Sequence, residues 1–209
     1  MYIGISGKAT SGKDTVAKIM QCILGKKHGE INTWKDVQDY FKWYSTDKDM
    51  NQVRTITNWT IVKFGDLLKE CTAKLLGCSR EALDDQEVKK SLIPWLNLTV
   101  REVLQKVGDS GRQCIDKNIW VKALFNYTKV DSINYLIPDV RFPNEFNAIK
   151  NQHEDNLLIR VERPNINTGN HISETALDNE TNWDYIIVND GTFDDLVQKV
   201  KVMIKDFYL

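Results

Sequence analysis

Residues 7–15 read GKATSGKDT and follow a short apolar run, YIGIS, at residues 2–6. They match the P-loop pattern G-x-x-x-x-G-K-[ST] up to Lys13; Asp14 then stands at the hydroxyl position, and Thr15 comes one residue late. A loop of this kind between a strand and a helix binds phosphates through backbone N–H groups and the lysine ammonium. The stretch therefore predicts a strand, a phosphate loop and a helix, with a plain glycine-containing turn as the alternative.

Apolar runs rich in β-branched residues alternate with helical patterns along the rest of the chain. The predicted strands are Tyr2 to Ser6, Thr60 to Phe64, Tyr135 to Ile137, Leu157 to Val161 and Tyr185 to Val188. The predicted helices begin near Lys13 and then cover Leu67 to Leu76, Val100 to Val107, Ile119 to Phe125 and Phe193 to Phe207. Strands separated by helices pair in parallel through right-handed crossovers. The sequence thus predicts an α/β fold, a three-layer, doubly wound, parallel five-stranded sheet with ligands beyond the carboxyl ends of its strands.

Length and charge limit the classes of protein. With 209 residues, 42% of them hydrophobic, the chain can bury a core and suits one domain with insertions better than two. Its 28 basic and 29 acidic residues give a net charge of −1, so no global field attracts nucleic acid or an anionic membrane. The apolar runs are too short for a membrane span or a signal peptide. We expect a soluble, cytoplasmic protein.

The cysteines lack the spacing of a metal site or a redox pair. Cys22, Cys71, Cys78 and Cys114 form no C-x-x-C motif. We expect reduced thiols, as in a cytosolic compartment, with structural burial as their role.

A second cluster of polar residues lies in IPDVRFPNE, residues 137–145. An acidic residue at the end of an apolar strand is typical of a Walker-B aspartate, so Asp139 is a candidate to organise Mg²⁺ or its waters, with a strand-end ion pair as the alternative. Arg141 points the same way along extended chain. Asp14 also has two interpretations: a partner of the helix dipole, or a magnesium ligand together with the Thr15 hydroxyl.

Several further stretches follow GKATSGKDT in a fixed order. They are KFGDLLKE (63–70), TVREVLQKVGDSGRQCIDKNIWVKAL (99–124), DVRFPNE (139–145), and HISETALDN (171–179) followed by YIIVNDGTFDDL (185–196). Together they resemble the deoxynucleoside monophosphate kinases of tailed phages, members of the nucleoside monophosphate kinase group of P-loop proteins. The resemblance covers most of the chain. It implies a P-loop NTPase core, a single kinase domain over 1–209, an acceptor-binding helical subregion at about 65–128 and a small lid at about 163–180.

The resemblance also implies roles for individual positions. The ATP phosphates would be bound by Gly7, Lys8, Ser11, Gly12, Lys13, Asp14 and Thr15. The acceptor would be bound by Asp66, Lys69, Arg101, Arg112, Trp120 and Arg141. The implied catalytic residues are Lys13, Arg141 and Asp139. The implied ligands of Mg²⁺, which accompanies ATP, are Asp14, Thr15 and Asp139.

Other implied positions lie towards the carboxyl end of the chain. Arg163 is the candidate lid arginine, and Asn189 and Gly191 would border the adenine. Trp120 and Trp95 could stack on the base, with packing in the core as the alternative. His171, Ser173 and Glu174 match the family pattern, but the sequence gives them no physical role.

The predicted reaction is ATP-dependent phosphorylation of deoxynucleoside monophosphates to diphosphates. Lys, Arg and Mg²⁺ suit a loose phosphoryl-transfer transition state, and an acceptor phosphate that is already a dianion needs no histidine base. A P-loop kinase for another phosphorylated metabolite, such as dephospho-coenzyme A or phosphomevalonate, is the alternative. An ATPase switch or nucleic-acid motor, or a non-catalytic nucleotide-binding protein, is less favoured. The predicted partners are ATP and the monophosphate, with no nucleic acid and no membrane; the chain would be a monomer or homodimer, in the host cytoplasm if it is viral.

Residues 28–58 form a connection that is longer than the family pattern suggests. Val37, Tyr40 and Phe41 predict an amphipathic helix in it. We expect this helix to pack on the body of the protein in preference to a subunit contact.

Overall fold

The computed structural model describes residues 1–25, 30–46, 58–129, 133–166, 171–207 and 209. These residues form two compact units, which we call the sheet unit (Met1–Val62 with Val130–Leu209) and the helical unit (Lys63–Lys129). The helical unit has nearly the bounds predicted for the acceptor-binding subregion, whose binding role stays a prediction. The middle of the long connection and residues 167–170 of the predicted lid lie outside the described residues.

Strands and helices alternate in the order that the sequence predicts. The strands are β1 (Tyr2–Ser6), β2 (Trp59–Ile61), β3 (Leu92–Ile93), β4 (Leu98–Thr99), β5 (Asn134–Val140), β6 (Leu157–Glu162) and β7 (Tyr185–Val188). The helices are α1 (Lys13–Leu24), α2 (Trp34–Thr46), α3 (Gly65–Leu76), α4 (Gln86–Lys90), α5 (Val100–Ser110), α6 (Ile119–Tyr127), α7 (Pro143–Lys150), α8 (Ile172–Thr175) and α9 (Phe193–Asp206). A 3-10 turn covers Glu81–Asp84, and a π-helical segment covers Gly111–Ile115.

The sheet unit contains a five-stranded sheet in the order β2-β5-β1-β6-β7. All of its neighbouring strands pair in parallel, which confirms the predicted α/β class and the five-stranded parallel sheet. The predicted second strand extended too far, because β2 ends at Ile61. Beyond it, the Asp66 carboxylate accepts a hydrogen bond from the Lys63 N–H at 3.0 Å and starts helix α3.

Helices cover both faces of this sheet. On one face, Ile3 and Ile5 of β1 share a buried core with α1 and α9, to which Val16 of α1 and Val200 of α9 belong. On the other face, a Cβ at Gly4 would approach the side chain of Ile149 in α7 to 2.7 Å. The alternation along β1 therefore gives the three layers that the sequence predicts.

Helix α2 belongs to the core of the sheet unit. Val37 is fully buried and Tyr40 is 4% exposed, and both lie in the same apolar cluster as α1. Packing on the body, the preferred interpretation of this segment, is confirmed for residues 34–42.

The expectation about the cysteines was wrong in part. Cys22 is buried, but Cys71, Cys78 and Cys114 are exposed, and all four are free thiols. Cys71 lies on an exposed side of α3, whose buried residues are Thr72 and Ala73. The number and spacing of the cysteines alone do not reveal which side of a helix a cysteine occupies.

None of the described helices combines the length and the apolar character needed to cross a bilayer.

Candidate active site

The loop between β1 and α1 has the backbone shape of an anion cradle. Gly12 has φ 100° and Thr10 has φ 63°, so two of its residues lie in the left-handed region. Thr10 is β-branched, and such a residue at positive φ is strained. Gly12 has no side chain to cap α1, so N–H groups of the first turn are suited to an external anion. Helix α1 begins at Lys13, which places the predicted phosphate loop at the carboxyl end of β1.

The side chain of Asn189, which follows β7, holds this loop through a hydrogen bond. Its amide Nδ2 donates a buried hydrogen bond of 2.8 Å to the Ser11 carbonyl oxygen. A Cβ at Gly12 would lie 2.5 Å from the same Nδ2, so only glycine fits there. The predicted contacts of Asn189 and of the exposed Gly191 with adenine stay predictions.

Ser11 makes its observed contacts inside the loop. Its N–H donates to the Lys8 carbonyl at 3.1 Å, and its fully buried hydroxyl has no hydrogen-bond partner among the described residues. A Cβ at Gly7 would collide with that hydroxyl, so the pattern's first glycine allows the loop to fold tightly. Phosphate binding by Ser11 stays a prediction.

Lys13 is the buried cation of the site. Its side chain is 7% exposed, and Nζ lies 3.7 Å from the Asp14 carboxylate. Burial lowers the pKa of Lys13, and the charge of Arg141 lowers it further. The same pKa is raised by the negative charges of Asp14, Glu174 and Asp139. The structure thus brings the predicted catalytic residues Lys13, Asp139 and Arg141 together.

The chain direction at Arg141 is fixed by Glu145. The Glu145 carboxylate is buried and accepts hydrogen bonds from Arg141 N at 2.7 Å and Phe142 N at 3.1 Å. Pro143 occupies the first turn of α7, where its fixed φ suits a helix. Asp139 lies within β5 and Arg141 directly follows it, so both residues lie at the carboxyl end of this strand.

Two acidic residues of the segment 171–178 approach the loop: Glu174, for which sequence reasoning found no physical role, and Asp178, which it missed. The Glu174 carboxylate accepts a hydrogen bond from Ala9 N at 2.6 Å and forms a close ion pair with Arg141. Asp178 pairs with Lys8 at 3.0 Å and with Arg160 at 3.3 Å. The motif HISETALDN points to this segment, but only the folded chain shows what its carboxylates contact.

The helical unit contains a separate cluster of cations around Asp84. Lys69 Nζ and Arg80 Nη1 lie 2.7 and 2.8 Å from its carboxylate oxygens. Burial alone would raise the pKa of Asp84, but these two hydrogen bonds lower it to about 2. Arg80 also bonds Asp66 at 2.6 Å. Two predicted acceptor residues, Asp66 and Lys69, are therefore brought together, with Arg80 as an unpredicted addition.

Lys89 extends this cluster towards Arg101. Its Nζ donates to the Asp84 carbonyl oxygen at 3.3 Å, and its pKa is lowered by burial and then by the charge of Lys69. Arg101 also lowers the pKa of Lys89, so these cations lie close to one another. Arg101 donates to the Gln86 side chain at 3.0 Å.

The remaining predicted residues of the helical unit form a different group. The Trp120 indole donates to the Gly108 carbonyl oxygen at 3.0 Å, and Arg112 pairs with Asp109 at 3.1 Å. Trp120 is half-buried against Gly111, whereas Trp95 is 70% exposed. The core alternative is therefore wrong for Trp95. Stacking on a base stays a prediction for both tryptophans.

The predicted lid arginine lies in the sheet unit. Arg163 is exposed and directly follows β6. Its role in closure stays a prediction.

The loop offers ligands of the kind that Mg²⁺ uses with a nucleotide. Within the part of the chain that the structure describes, no group of three or more His, Cys, Asp or Glu side chains could hold a metal. Mg²⁺ in kinases is held by one or two carboxylates together with substrate phosphates. Asp14 and Asp139, both near Lys13, fit that pattern, and Thr15 supplies a hydroxyl in the first turn of α1.

Comparison with known proteins identifies the family. A search of curated proteins found no match. A family model described as "Deoxynucleotide monophosphate kinase" matches residues 81–200, more than half of the 209-residue chain. The matched residues include Asp139, Arg141 and Glu174, and they begin after the glycine loop. The chain belongs to the deoxynucleotide monophosphate kinase family, and it is a kinase of nucleotide metabolism.

Proposed function

We propose that this kinase transfers the γ-phosphoryl group of ATP to a deoxynucleoside monophosphate and releases the diphosphate and ADP. The observation that carries the proposal is that Glu174 contacts both Ala9 of the glycine loop and Arg141, in a chain of this family. Strand β5, which contains Asp139, pairs with β1 directly before this loop. An oxygen of the acceptor phosphate bonds to the γ-phosphorus as the bond to the β–γ bridging oxygen breaks. Charge moves onto the equatorial and leaving oxygens, where Lys13 and Arg141 stabilise it.

The donor side of the proposed site is the loop 7–15. Its amide groups and the amino end of α1 bind the phosphates, and Lys13 supplies a cation that is already held in place. Asp14, Thr15 and Asp139 would hold Mg²⁺, which neutralises phosphate charge when it is bound. The near-neutral net charge supports an enzyme that binds no nucleic acid. We further propose a cytoplasmic location and a monomer or homodimer.

Within the helical unit, a group of cations is proposed to bind the phosphate of the acceptor. Lys69, Lys89 and Arg101 form a concentration of positive charge that suits a phosphate group. The monophosphate has a second pKa of about 6, so it is a dianion at neutral pH and requires no general base.

The proposed reaction is tested by an acceptor panel. With ATP and Mg²⁺, purified protein should convert deoxynucleoside monophosphates to diphosphates, as measured by chromatography of the products. Ribonucleoside monophosphates, dephospho-coenzyme A and phosphomevalonate belong in the same panel. Conversion of either of the last two, with no turnover of any deoxynucleotide, would contradict the proposal.

Removal of Lys69 tests the acceptor assignment. Lys69→Ala should raise the KM for the monophosphate about ten- to a hundredfold, because it removes a charged hydrogen bond of about 1.5–3 kcal/mol. The KM for ATP should change little. Steady-state kinetics with each substrate varied in turn makes this measurement.

The matched control for this experiment is Lys90→Ala. Lys90 is exposed and pairs with Glu87 within α4 at 2.8 Å, so its removal deletes the same charge from the same unit. Equal effects of the two substitutions on the KM would remove Lys69 from the acceptor site.

A further inference from the structure

The Glu174 carboxylate occupies groups that are suited to bind phosphate. One oxygen accepts the N–H of Ala9, within the glycine loop, and the other pairs with Arg141. The Glu174 side chain is only 10% exposed. Two anion-binding groups, Ala9 N–H and Arg141, therefore share one protein carboxylate. The charge of Glu174 also raises the pKa of Lys13.

The environment of Glu174 keeps it negatively charged. Burial alone would raise its pKa, but the charge of Arg141 and the hydrogen bond from Ala9 lower it below the usual range. The His171 ring accepts a hydrogen bond from Ser173 N at 3.2 Å at the start of α8, and Asp178 ties the same segment to Lys8. Glu174 is therefore held at the loop by contacts on either side of it in sequence.

A carboxylate and a phosphate oxygen cannot accept the same hydrogen bond. Like charges packed together in a buried site also repel strongly. Arg141 contacts Glu174 through Nη1, so a nucleotide whose phosphates take the Ala9 N–H and this Nη1 group must release both from Glu174.

We propose that Glu174 is an internal anion that competes with the nucleotide phosphates for Ala9 and Arg141, and that binding of the nucleotide displaces it. The inference rests on the proposed function, because it takes the loop 7–15 as the phosphate site. Glu174 thereby positions Arg141 before the substrate arrives and frees it only when a stronger anion takes its place. The affinity for phosphates is reduced by the contacts that are lost on displacement.

The test is a comparison of Glu174→Gln with wild-type protein by isothermal titration calorimetry. The titrants are ATP with Mg²⁺ and inorganic tripolyphosphate. Glutamine is nearly the same size but uncharged, and hydrogen bonds to a neutral group are weaker than those to an ion. The Kd of both titrants should fall about five- to tenfold in the variant. Because tripolyphosphate has no base or sugar, a parallel fall attributes the effect to the phosphates.

Glu180→Gln is the matched control. Glu180 lies in the same stretch, and its carboxylate accepts hydrogen bonds from Thr181 N and Asn182 N at 2.9 Å. The substitution therefore removes one negative charge at a different place from the contacts with Ala9 and Arg141. Its Kd values should equal those of the wild type. Equal tightening in both variants would show a general charge effect and overturn the proposal.

Thermal melting reports whether each variant is folded. A further variant, Glu174→Asp, keeps the charge but shortens the side chain. Its Kd should lie between those of the wild type and Glu174→Gln, because the shorter carboxylate cannot reach both partners. An unchanged or higher Kd in folded Glu174→Gln overturns the inference while leaving the proposed function intact. If wild-type protein binds neither titrant, the proposed function fails first.

Discussion

Arg141→Ala should lower kcat by about a thousandfold or more, the effect associated with arginines that stabilise the transferring phosphoryl group. Arg141 lies at the end of β5, close enough to Lys13 for its charge to lower the lysine pKa. Its backbone is held by Glu145, so the substitution removes the guanidinium without releasing the chain. Stopped-flow or steady-state assays of ADP formation measure the loss.

Two controls show whether the loss of rate in Arg141→Ala comes from the lost charge, from the lost shape of the guanidinium or from a folding defect. Arg141→Lys keeps the positive charge but loses the planar, two-pronged donor, so it should recover only part of the rate. Arg141→Ala also leaves the buried Glu174 carboxylate without its cation, so its Tm must be measured beside its rate. A folded Arg141→Ala protein with near-normal kcat would remove Arg141 from the mechanism.

Lys13→Ala should lower kcat/KM by on the order of a hundred- to a thousandfold, comparable to the loss of a preorganised donor at a developing oxyanion. The ammonium is already buried at the glycine loop, so its desolvation precedes binding. Its lowered pKa adds a second expectation: kcat/KM should decline at alkaline pH, as the pH rises through a value below that of an ordinary lysine.

Lys18→Ala is the matched control for Lys13. Lys18 lies on the same helix, and its ammonium is 5.7 Å from the centre of the Phe41 ring. Its removal deletes an equal charge and should change the Tm slightly and kcat/KM hardly at all. Similar activity losses in both variants would show that the general charge of α1 matters and that the position of Lys13 does not.

Local patterns in the sequence predicted the parts of the fold that local physics determines. The capping boxes Thr99–Glu102 and Thr192–Asp195 are recognisable in the sequence because each needs only residues three apart, and both are formed in the structure. Strand β7 has the predicted bounds, since its apolar run is compact and is followed by a polar turn. Strand β5 continues to Val140 where prediction stopped at Ile137, because parallel pairing with β1 extends it past Pro138.

Contacts between distant residues could not be predicted in the same way. Ala9 and Glu174 are 165 positions apart, and no periodicity reports that they meet. The short β3–β4 hairpin was missed as well, because a strand of two residues is too short to show an alternation of apolar and polar residues. The catalytic residues could be predicted because each lies at the end of a recognisable strand or loop; their roles stay predictions.

The hydrogen bond between Asn189 and Ser11 joins two residues that are 178 positions apart. The glycine motif is therefore not a self-sufficient module: its curvature is maintained by an amide that the chain supplies only after its last strand. A nascent chain that has already made α1 still lacks this restraint, so a fully shaped nucleotide cradle can arise only late in biosynthesis. Transplanting the nine-residue loop onto another scaffold would require a substitute for that distant amide.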